Sequence, residues 1–241
     1  MADDNFGRGV AERYDDDSER FGAAWLEAES GFLAALAGPD GTALEFAIGT
    51  GRVALPLRAR GIDVHGIELS EAMVAQLRAK PGGDDLPVTI GDIASARVDG
   101  TFDLVYLVFN TIGNLASQEA QVACFANAAA HLRPGGCFVI ETGVPGVRRE
   151  DRFRIFNHSD EHLGIDEFDT ATQLMYSHHY TRQDDGLYRR RSIPFRYAAP
   201  AEYDLMARLA GMRLRERWSD WHRTPFTTES ESHVSVWEKQ D

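Results

Sequence analysis

The sequence predicts an α/β fold with a mostly parallel sheet and helices on both of its faces. Over residues 42–145, short apolar runs alternate with helical stretches of about ten residues, which is typical of βαβ units. Glycine turns or acidic residues recur where the apolar runs end. The chain has 241 residues, of which 43% are hydrophobic and 26% charged, so a globular domain is expected without disulfide or metal support.

Charge and segment composition exclude several classes of protein. With 25 basic and 38 acidic residues the net charge is −13, which argues against nucleic-acid binding because such proteins neutralise phosphates with Lys and Arg. No apolar run reaches the roughly eighteen residues that a membrane-spanning helix needs. The acidic N-terminus lacks the apolar core of a secretory signal, and Cys124 and Cys137 show no paired pattern, so a cytoplasmic location is expected.

The chain is predicted to be a single domain, 1–241, made of four consecutive parts. These parts are a helical N-terminal cap (1–40), a ligand-binding core (42–145), an antiparallel insertion after the fifth strand (146–198), and a closing helix with two strands (199–241).

Periodicity and turn signals place the elements outside the core. Apolar residues at helical spacing predict an amphipathic helix around 18–37. Within the insertion, 172–182 and 187–197 are predicted strands, joined by a loop whose Asp-Gly pair indicates a hairpin. A short helix is expected from Pro200, because proline favours the first turn of a helix.

The first predicted strand contains Glu45 and runs into a glycine turn, Gly49-Thr50-Gly51, before a helix. Glycines allow the backbone to approach a ligand closely, and the N-terminus of a helix offers unpaired N–H groups. The turn alone is a weak signal, because a tight strand-to-helix connection can exist without any ligand.

Polar residues follow the next three predicted strands. Glu68 can accept both hydroxyls of a ribose bound over the glycine turn, or it can be a solvated acid two residues before the helix cap Ser70. Asp92 can accept from an adenine amino group, and the fourth strand runs through Phe109 into Asn110. Ligands in parallel sheets bind outside the carboxyl ends of the strands, where all of these residues are expected.

The order E-x-A-x-G-x-G, G-I-E-L-S-x-x-M, G-D-I, F-D-L-V and L-R-P-G-G resembles that of the class I S-adenosylmethionine-dependent methyltransferases over residues 42–145. Arg13-Tyr14-Asp15 and the segment after strand five more loosely resemble the bacterial small-molecule branch, including sugar-amine N,N-dimethyltransferases. The resemblance implies a Rossmann-like, seven-stranded sheet with a reversed final hairpin. It also implies methyl transfer from S-adenosyl-L-methionine to an N or O atom of a small molecule by in-line displacement, leaving S-adenosyl-L-homocysteine.

The resemblance further implies the cofactor contacts. The glycine turn would face the methionine part, Glu68 the ribose hydroxyls, and Asp92 with Ile93 the adenine, while Leu69 and Met73 would border the adenosine. The complete expected set is Glu45, Gly49, Thr50, Gly51, Glu68, Leu69, Met73, Asp92, Ile93 and Phe109. Ala47 stands where the family more often has its first glycine.

Two other functions stay open at this point. Gly49-x-Gly51-x-x-Ala54 also matches a dinucleotide fingerprint, which would suit an NAD(P)-dependent oxidoreductase. Against that reading, the chain has no Tyr-x-x-x-Lys pair, and its only lysines are Lys80 and Lys239. A non-catalytic module that merely binds the cofactor is the second alternative, because a binding site does not establish turnover.

The acceptor pocket is expected to be walled by Tyr14, Asn110, His179 and Arg196, and the first three are the catalytic candidates. His179 lies on the polar face of the extended segment 172–182, so it is the candidate base for a protonated acceptor. Arg196, between two aromatic residues, can pair with a substrate carboxylate or with an internal acid.

Other patterns narrow the partners. The chain lacks the Asn/Asp-Pro-Pro-aromatic sequence with which exocyclic-amine DNA methyltransferases hold a flipped base, so a small-molecule acceptor is expected and a nucleic acid is not. His158 and His162 have the spacing of a helix-borne metal pair, but their Ser-Asp-Glu surroundings indicate a solvated turn. No metal and no membrane partner are therefore expected.

Overall fold

The computed structural model describes Ala11, Tyr14 and residues 22–146 and 152–241. The helices of these ranges are α1 (Ala23–Ala37), α2 (Ala54–Ala59), α3 (Glu71–Arg78), α4 (Gln118–His131) and α5 (Pro200–Leu209), with a short 3-10 helix at Thr111–Asn114. The strands are β1 (Thr42–Phe46), β2 (Asp63–Glu68), β3 (Val88–Ile90), β4 (Phe102–Leu107), β5 (Leu132–Gly143), β6 (Phe153–His158), β7 (His162–Asp169), β8 (Leu174–Arg182), β9 (Tyr188–Arg196), β10 (Met212–Trp218) and β11 (Ser232–Lys239).

A seven-stranded sheet forms the centre of the molecule, in the order β10-β11-β5-β4-β1-β2-β3. Strands β1 to β5 run parallel, and β11 is antiparallel to both β5 and β10. The predicted α/β class and the reversed final hairpin are therefore confirmed. Since β1 to β4 all end at one edge, the residues that follow them meet there; we call this the carboxyl edge.

Alternate residues of the central strands pack into two layers, because successive side chains of a strand point to opposite faces. Ala43 and Tyr106 pack toward α1, α2 and α3, together with Leu33 of α1. Leu44 and Phe46 pack toward α4 and α5 on the other face. Both faces of the sheet are thus covered, as the near-continuous apolar strands require.

The insertion is a second sheet of four antiparallel strands, ordered β6-β7-β8-β9. The two predicted strands of the insertion correspond to β8 and β9, while β6 and β7 were not predicted. Strand β6 is exposed along its whole length, and its sequence, Phe-Arg-Ile-Phe-Asn-His, alternates between apolar and polar residues only over the first three positions, which is too short a pattern to predict a strand. The second sheet meets the first near Phe195 and Arg196, at the 3-10 helix Thr111–Asn114.

The predicted helix around 18–37 is observed as α1 from Ala23, and residues 18–21 lie outside the described part of the chain. It ends at Gly38, whose φ of 82° lies in the left-handed region that glycine tolerates. Ser70 caps α3 as expected, since its side chain accepts from the Met73 N–H. In the ranges that the structure describes, no helix has both the length and the apolar character needed to cross a bilayer.

Candidate functional site

The glycine turn after β1 lies directly against the carboxylate at the end of β2. Gly49 and Gly51 have φ values of 57° and 74°, which favour glycine. The buried Glu68 accepts from the Gly49 N–H at 2.8 Å with Oε2 and from the Ser70 N–H at 2.8 Å with Oε1. Both oxygens are therefore oriented by the backbone, and the carboxylate stands beside the turn, as the sequence predicts.

Side chains from α3 and β2 close around this turn. The Met73 Cε lies 3.3 Å from where a Cβ on Gly49 would stand, so only glycine leaves this contact relaxed. Thr50 is buried, and its backbone carbonyl accepts a hydrogen bond from Lys80 Nζ at 2.8 Å. Leu69, directly after Glu68, is 38% exposed and presents an apolar surface at the edge of the site.

The end of β3 lies next to Glu68, because Ile90 pairs with Glu68 and the Gly91 N–H donates to the Glu68 carbonyl at 2.9 Å. Asp92 follows, partly exposed, with Oδ1 accepting from the Ala94 N–H at 2.8 Å. Ile93 is buried in the core. An acidic group and an apolar group thus stand side by side where an adenine is expected.

The end of β4 carries two successive non-glycine residues in the left-handed region, Phe109 (φ 61°) and Asn110 (φ 57°). Asn110 Oδ1 accepts from the Gly143 N–H at 2.6 Å and from the Thr142 hydroxyl at 3.0 Å, which ties β4 to β5. The Asn110 amide nitrogen is therefore the atom of this side chain that can donate a hydrogen bond to a ligand. Backbone strain of this kind is concentrated at functional sites.

Buried carboxyls collect between α1 and the carboxyl edge. We define the acidic cluster as Glu29 of α1, Glu45 of β1 and Glu141 of β5, together with Arg52. The Arg52 guanidinium pairs with Glu29 Oε2 at 2.9 Å. Glu45 accepts from the Tyr106 hydroxyl at 2.8 Å, and Glu141 accepts from the Phe109 N–H at 2.6 Å.

Burial disfavours the charged form of these carboxyls. It raises the pKa of Glu29 to about 7, although the nearby Arg52 acts in the opposite direction. It raises the pKa of Glu45 to about 8 and raises that of Glu141 as well. Three carboxyls share one guanidinium in the acidic cluster, so the fully ionised form is disfavoured at neutral pH.

The structure does not bring His179 to the carboxyl edge. Its ring stacks on His162, with 3.0 Å between His179 Nδ1 and His162 Nε2, and packs against Phe156. Strand β8 approaches the first sheet at its other end, where Met175 pairs with Phe195 beside the 3-10 helix. Four residues at about 3.3 Å each place His179 roughly 13 Å farther out along the strand. Burial and the neighbouring His162 lower the pKa of His179.

Arg196 is the clearest correction to the expected pocket. It is 3% exposed and pairs with Glu202 at 2.6 Å, while it also donates to Gln173 and Gln121. The guanidinium therefore holds β9 to α4 and α5, and a substrate carboxylate cannot be its partner without breaking this internal network. Of the two partners that the sequence allowed, the structure has the internal acid.

Tyr14 is half-buried, and its backbone N–H donates to the Ala11 carbonyl at 3.4 Å. Its role in the pocket stays a prediction.

The sequence did not predict three residues near the site, Glu29, Arg52 and Glu141. Glu141 ends the apolar run of β5, so the rule that located Glu68 and Asp92 also applies to it. Glu29 has no such signal, because only the packing of α1 brings it to the sheet.

The chemistry of the edge can be compared with candidate ligands. Glu68, Asp92 and the acidic cluster supply carboxyls, which suit a ligand that carries hydroxyls and positive charge. Glu68 does not separate the two cofactors, because dinucleotide-binding folds also use such an acid for a ribose hydroxyl. The acidic cluster does separate them, because a dinucleotide would place its doubly charged diphosphate at the neighbouring glycine turn. The edge therefore fits a cationic nucleoside cofactor better than a dinucleotide. Within the described ranges, no three or more His, Cys, Asp or Glu side chains are grouped to hold a metal ion.

Comparisons with known proteins agree with this geometry. A family described as "Methyltransferase domain" matches residues 43–136. The solved structure of the CcbJ methyltransferase from Streptomyces caelestis is 33% identical in sequence, with a TM-score of 0.86 over 98% of this chain and 98% of that chain.

Two curated relatives carry narrower names. The cypemycin N-terminal methyltransferase of a Streptomyces species is 27% identical over 207 residues, which is 83% of each chain. The dTDP-3-amino-3,4,6-trideoxy-alpha-D-glucopyranose N,N-dimethyltransferase of Streptomyces venezuelae is 34% identical over 98 residues, 41% of this chain and 40% of that protein.

Proposed function

The chain belongs to the S-adenosylmethionine-dependent methyltransferase family, and we propose that it methylates an amino nitrogen of a small molecule. The relatives named above act on a peptide N-terminus and on an amino sugar nucleotide, which are both amines. The observation that carries the proposal is the carboxyl edge itself, where Glu68 and the acidic cluster set four carboxyls against the guanidinium of Arg52. Carboxyls in this number favour a cationic cofactor over an anionic one.

We propose that the cofactor contacts follow the sequence prediction. Gly49, Thr50 and Gly51 would face the methionine part with Glu45 beneath them, and Glu68 would accept from the ribose hydroxyls. Leu69 and Met73 would border the adenosine, and Asp92 and Ile93 would contact its adenine. Phe109 would close the methionine side of the site. The backbone contacts of Glu68 support this arrangement, because a carboxylate already oriented beside the turn needs little reorganisation to bind.

When bound, S-adenosylmethionine supplies an electrophilic methyl group on a positively charged sulfur. The glycine turn and Glu68 would hold this methyl group in line with the amine nitrogen that the pocket at Asn110 would present, and the amine would bind without its extra proton so that its lone pair is free. The protein therefore acts mainly by positioning, and alignment alone can supply about 7–11 kcal/mol of rate acceleration.

For the acceptor, we propose a pocket walled by Asn110 and by Tyr14 of the cap. The chain would work as one catalytic domain, in which the cap (1–40) and the near end of the insertion (146–198) cover the core. Asn110 suits this role because its Oδ1 is held by β5 while its amide nitrogen can donate. An amine that binds neutral needs no general base, which agrees with the position of His179 far along β8.

The proposal is tested by incubating the protein with S-adenosylmethionine and separate panels of amines, phenols and carboxylic acids. The amine panel includes amino sugar nucleotides and short peptides with a free N-terminus. We expect S-adenosylhomocysteine to form only with amines, and the product to gain one or two methyl masses on nitrogen. Turnover of phenols alone, or tighter binding of a nicotinamide dinucleotide than of S-adenosylmethionine, would refute the proposal.

Asn110→Ala sharpens this test, because the variant removes the side-chain N–H donor without adding a charge. We expect a higher KM for the amine and a smaller change in cofactor affinity. Gln240→Ala, which removes an amide in the exposed C-terminal segment, serves as the matched control.

A further inference from the structure

Glu29 reaches the central sheet from a helix that carries no sequence motif. It lies in the middle of α1 and is fully buried, with 0% of the residue exposed. Its Oε2 pairs with Arg52, but its Oε1 has no hydrogen-bond partner and no contact with solvent. A buried polar atom without a partner costs stability, so its presence requires a reason.

The other members of the acidic cluster lie on the same face of the sheet. Glu45 pairs with Tyr106 in the register of β1 and β4, and both side chains point toward α1 with Glu141 of β5. The negative groups near Glu29 are thus Glu45, Glu141 and, behind Glu45, Glu68.

Positive groups near Glu29 are few in the described part of the chain. Arg52 is the direct partner, with its guanidinium 5.7 Å from the Phe109 ring centroid. Arg60 pairs instead with Glu27 on the exposed side of α1. On the 219–231 loop, Arg223 stacks on Phe32 and His222 packs against Trp25, both also on α1.

The cluster adjoins both segments that we propose to hold the methionine part of the cofactor. Arg52 follows the glycine turn directly, and Glu141 holds the backbone N–H of Phe109 at the end of β4. S-adenosylmethionine carries a sulfonium and an ammonium against one carboxylate, while S-adenosylhomocysteine has lost the sulfonium charge. The net charge beside the cluster therefore differs by one between cofactor and product.

We propose that the acidic cluster, with Glu29 as its central member, is a proton-linked counter-charge that loses a proton when the sulfonium cofactor binds and regains it with the neutral product. The inference rests on the cofactor placement proposed above and not on the identity of the acceptor. It gives the orphaned oxygen a use, since Oε1 of Glu29 carries the proton in one state and the negative charge in the other. Burial already keeps the pKa values of Glu29 and Glu45 near neutrality, where such an exchange can occur.

The experiment counts protons in cofactor binding by the wild-type protein. Calorimetric titrations at pH 7 in buffers of different ionisation enthalpy give the number released by S-adenosylmethionine and by S-adenosylhomocysteine separately. We expect release of about half a proton for the first ligand, because a pKa of about 7 leaves Glu29 half-protonated at this pH, and clearly less for the second. The affinity for S-adenosylmethionine should accordingly rise by up to about tenfold per pH unit between pH 6 and 8.

Glu29→Gln removes the titrating group and should lower the proton release by S-adenosylmethionine. Glu27→Gln is the matched control, because Glu27 lies two residues earlier on the same helix, exposed and paired with Arg60. Equal release for the two ligands, or release unchanged in Glu29→Gln, would overturn the inference. The comparison of the two ligands needs no variant, so it stands even where Glu29→Gln folds poorly.

The experiments distinguish a failure of the proposed function from a failure of the inference about the acidic cluster. If the acceptor is not an amine, the proton counts for cofactor and product remain as expected while the amine panel gives no turnover. If the counts are equal and the amine panel is methylated, only the inference about the acidic cluster fails.

Discussion

The seven-stranded sheet buries three carboxyls around one guanidinium at its carboxyl edge, whereas the four-stranded sheet pairs its carboxyls across strands. In the second sheet, Asp166 pairs with Arg154 and Glu167 with His178, each at 3.2 Å. In the first, Oε1 of Glu29 has no partner, and the pKa values of the cluster are raised by burial. Unbalanced burial of charge is costly, so it marks the sheet that has a ligand to bind.

The backbones differ in the same way. Around the carboxyl edge, Ala47, Phe109 and Asn110 all have positive φ values although none is glycine. In the described part of the four-stranded sheet, positive φ occurs only in its connections, at Gln173 and Gly186. Strain and unmatched charge thus coincide in one region, and the following predictions test whether this contrast is functional.

The largest effect is expected where the two sheets join. Arg196→Met removes the donor to the amide oxygens of Gln121 and Gln173 and the ionic partner of Glu202, which keeps two amide donors. Hydrogen bonds to a charged group contribute about 1.5–3 kcal/mol each, so the loss of stability should be about 3 kcal/mol or more. Urea denaturation should show this loss, while cofactor affinity of the folded fraction changes little. Arg189→Met, an exposed position on the same strand, is the control. Lost acceptor binding at unchanged stability would return Arg196 to the pocket.

A second large effect is expected at the carboxyl edge. Glu68→Ala removes a carboxylate that orients two backbone N–H groups and that we propose to accept from two ribose hydroxyls. Affinity for S-adenosylhomocysteine should fall by about 100-fold or more, because hydrogen bonds to charged groups contribute about 1.5–3 kcal/mol. Asp92→Ala, with one contact to a partly exposed carboxylate, should lose about tenfold. Calorimetry that ranks the two variants in the opposite order would contradict the proposed placement.

The contrast also explains which features the sequence could predict. The glycine turn, Glu68, Asp92 and Asn110 follow apolar strands directly, so a local rule about strand ends located them. Glu29 and Arg196 depend on which elements pack together, and no local spacing encodes that. His179 was expected in the pocket because the alternation of residues 172–182 put it on a polar face, but Ser177 of that face is buried and Tyr176 of the other face is 41% exposed. The distance of that part of β8 from the edge is a property of the tertiary fold.

Stability should depend on pH through the first sheet. Folded-state pKa values of about 7 for Glu29 and about 8 for Glu45 lie above the ordinary 4.5, so the folded protein binds more protons than the unfolded chain. Stability is therefore lost as the pH rises through these values, by roughly 1 kcal/mol for Glu29 and roughly 2 kcal/mol for Glu45 between pH 6.5 and 8.5.

Urea denaturation of the wild type and of Glu29→Gln at both pH values measures this loss. The variant should lose less stability across the window, and Glu27→Gln should match the wild type. Burial lowers the pKa values of His131, His179 and His233 below the ordinary 6.5, so these three groups raise stability over the lower part of the window and offset part of the loss, equally in the wild type and in both variants. Stability that increases from pH 6.5 to 8.5 would show that these carboxyls are ionised throughout.

A smaller effect is expected from Ala47→Gly. Ala47 has a φ of 55°, a conformation that costs an L-residue about 1–2 kcal/mol, while glycine adopts it readily but loses more entropy on folding. The net gain should be about 0.5–1 kcal/mol in the free energy of unfolding, with cofactor affinity nearly unchanged. Ala34→Gly, inside α1, is the control and should destabilise. A destabilised Ala47→Gly would mean that the methyl group packs usefully at the turn.

The smallest effect is expected from His179→Ala. The ring stacks on His162 roughly 13 Å along β8 from the end that meets the first sheet, and burial lowers its pKa, so it neither reaches the reacting atoms nor gains charge at pH 7. Turnover of an amine acceptor and affinity for the cofactor should both stay within about twofold of wild type, and the pH profile of kcat should keep its shape. A general base at the acceptor would instead lose about 10²–10⁴-fold in turnover. His162→Ala is the matched control, because it removes the same stack from the other strand. If His179→Ala alone lost turnover at unchanged stability, the four-stranded sheet would have to close over the carboxyl edge during the reaction, and the contrast between the two sheets would hold only for the open form.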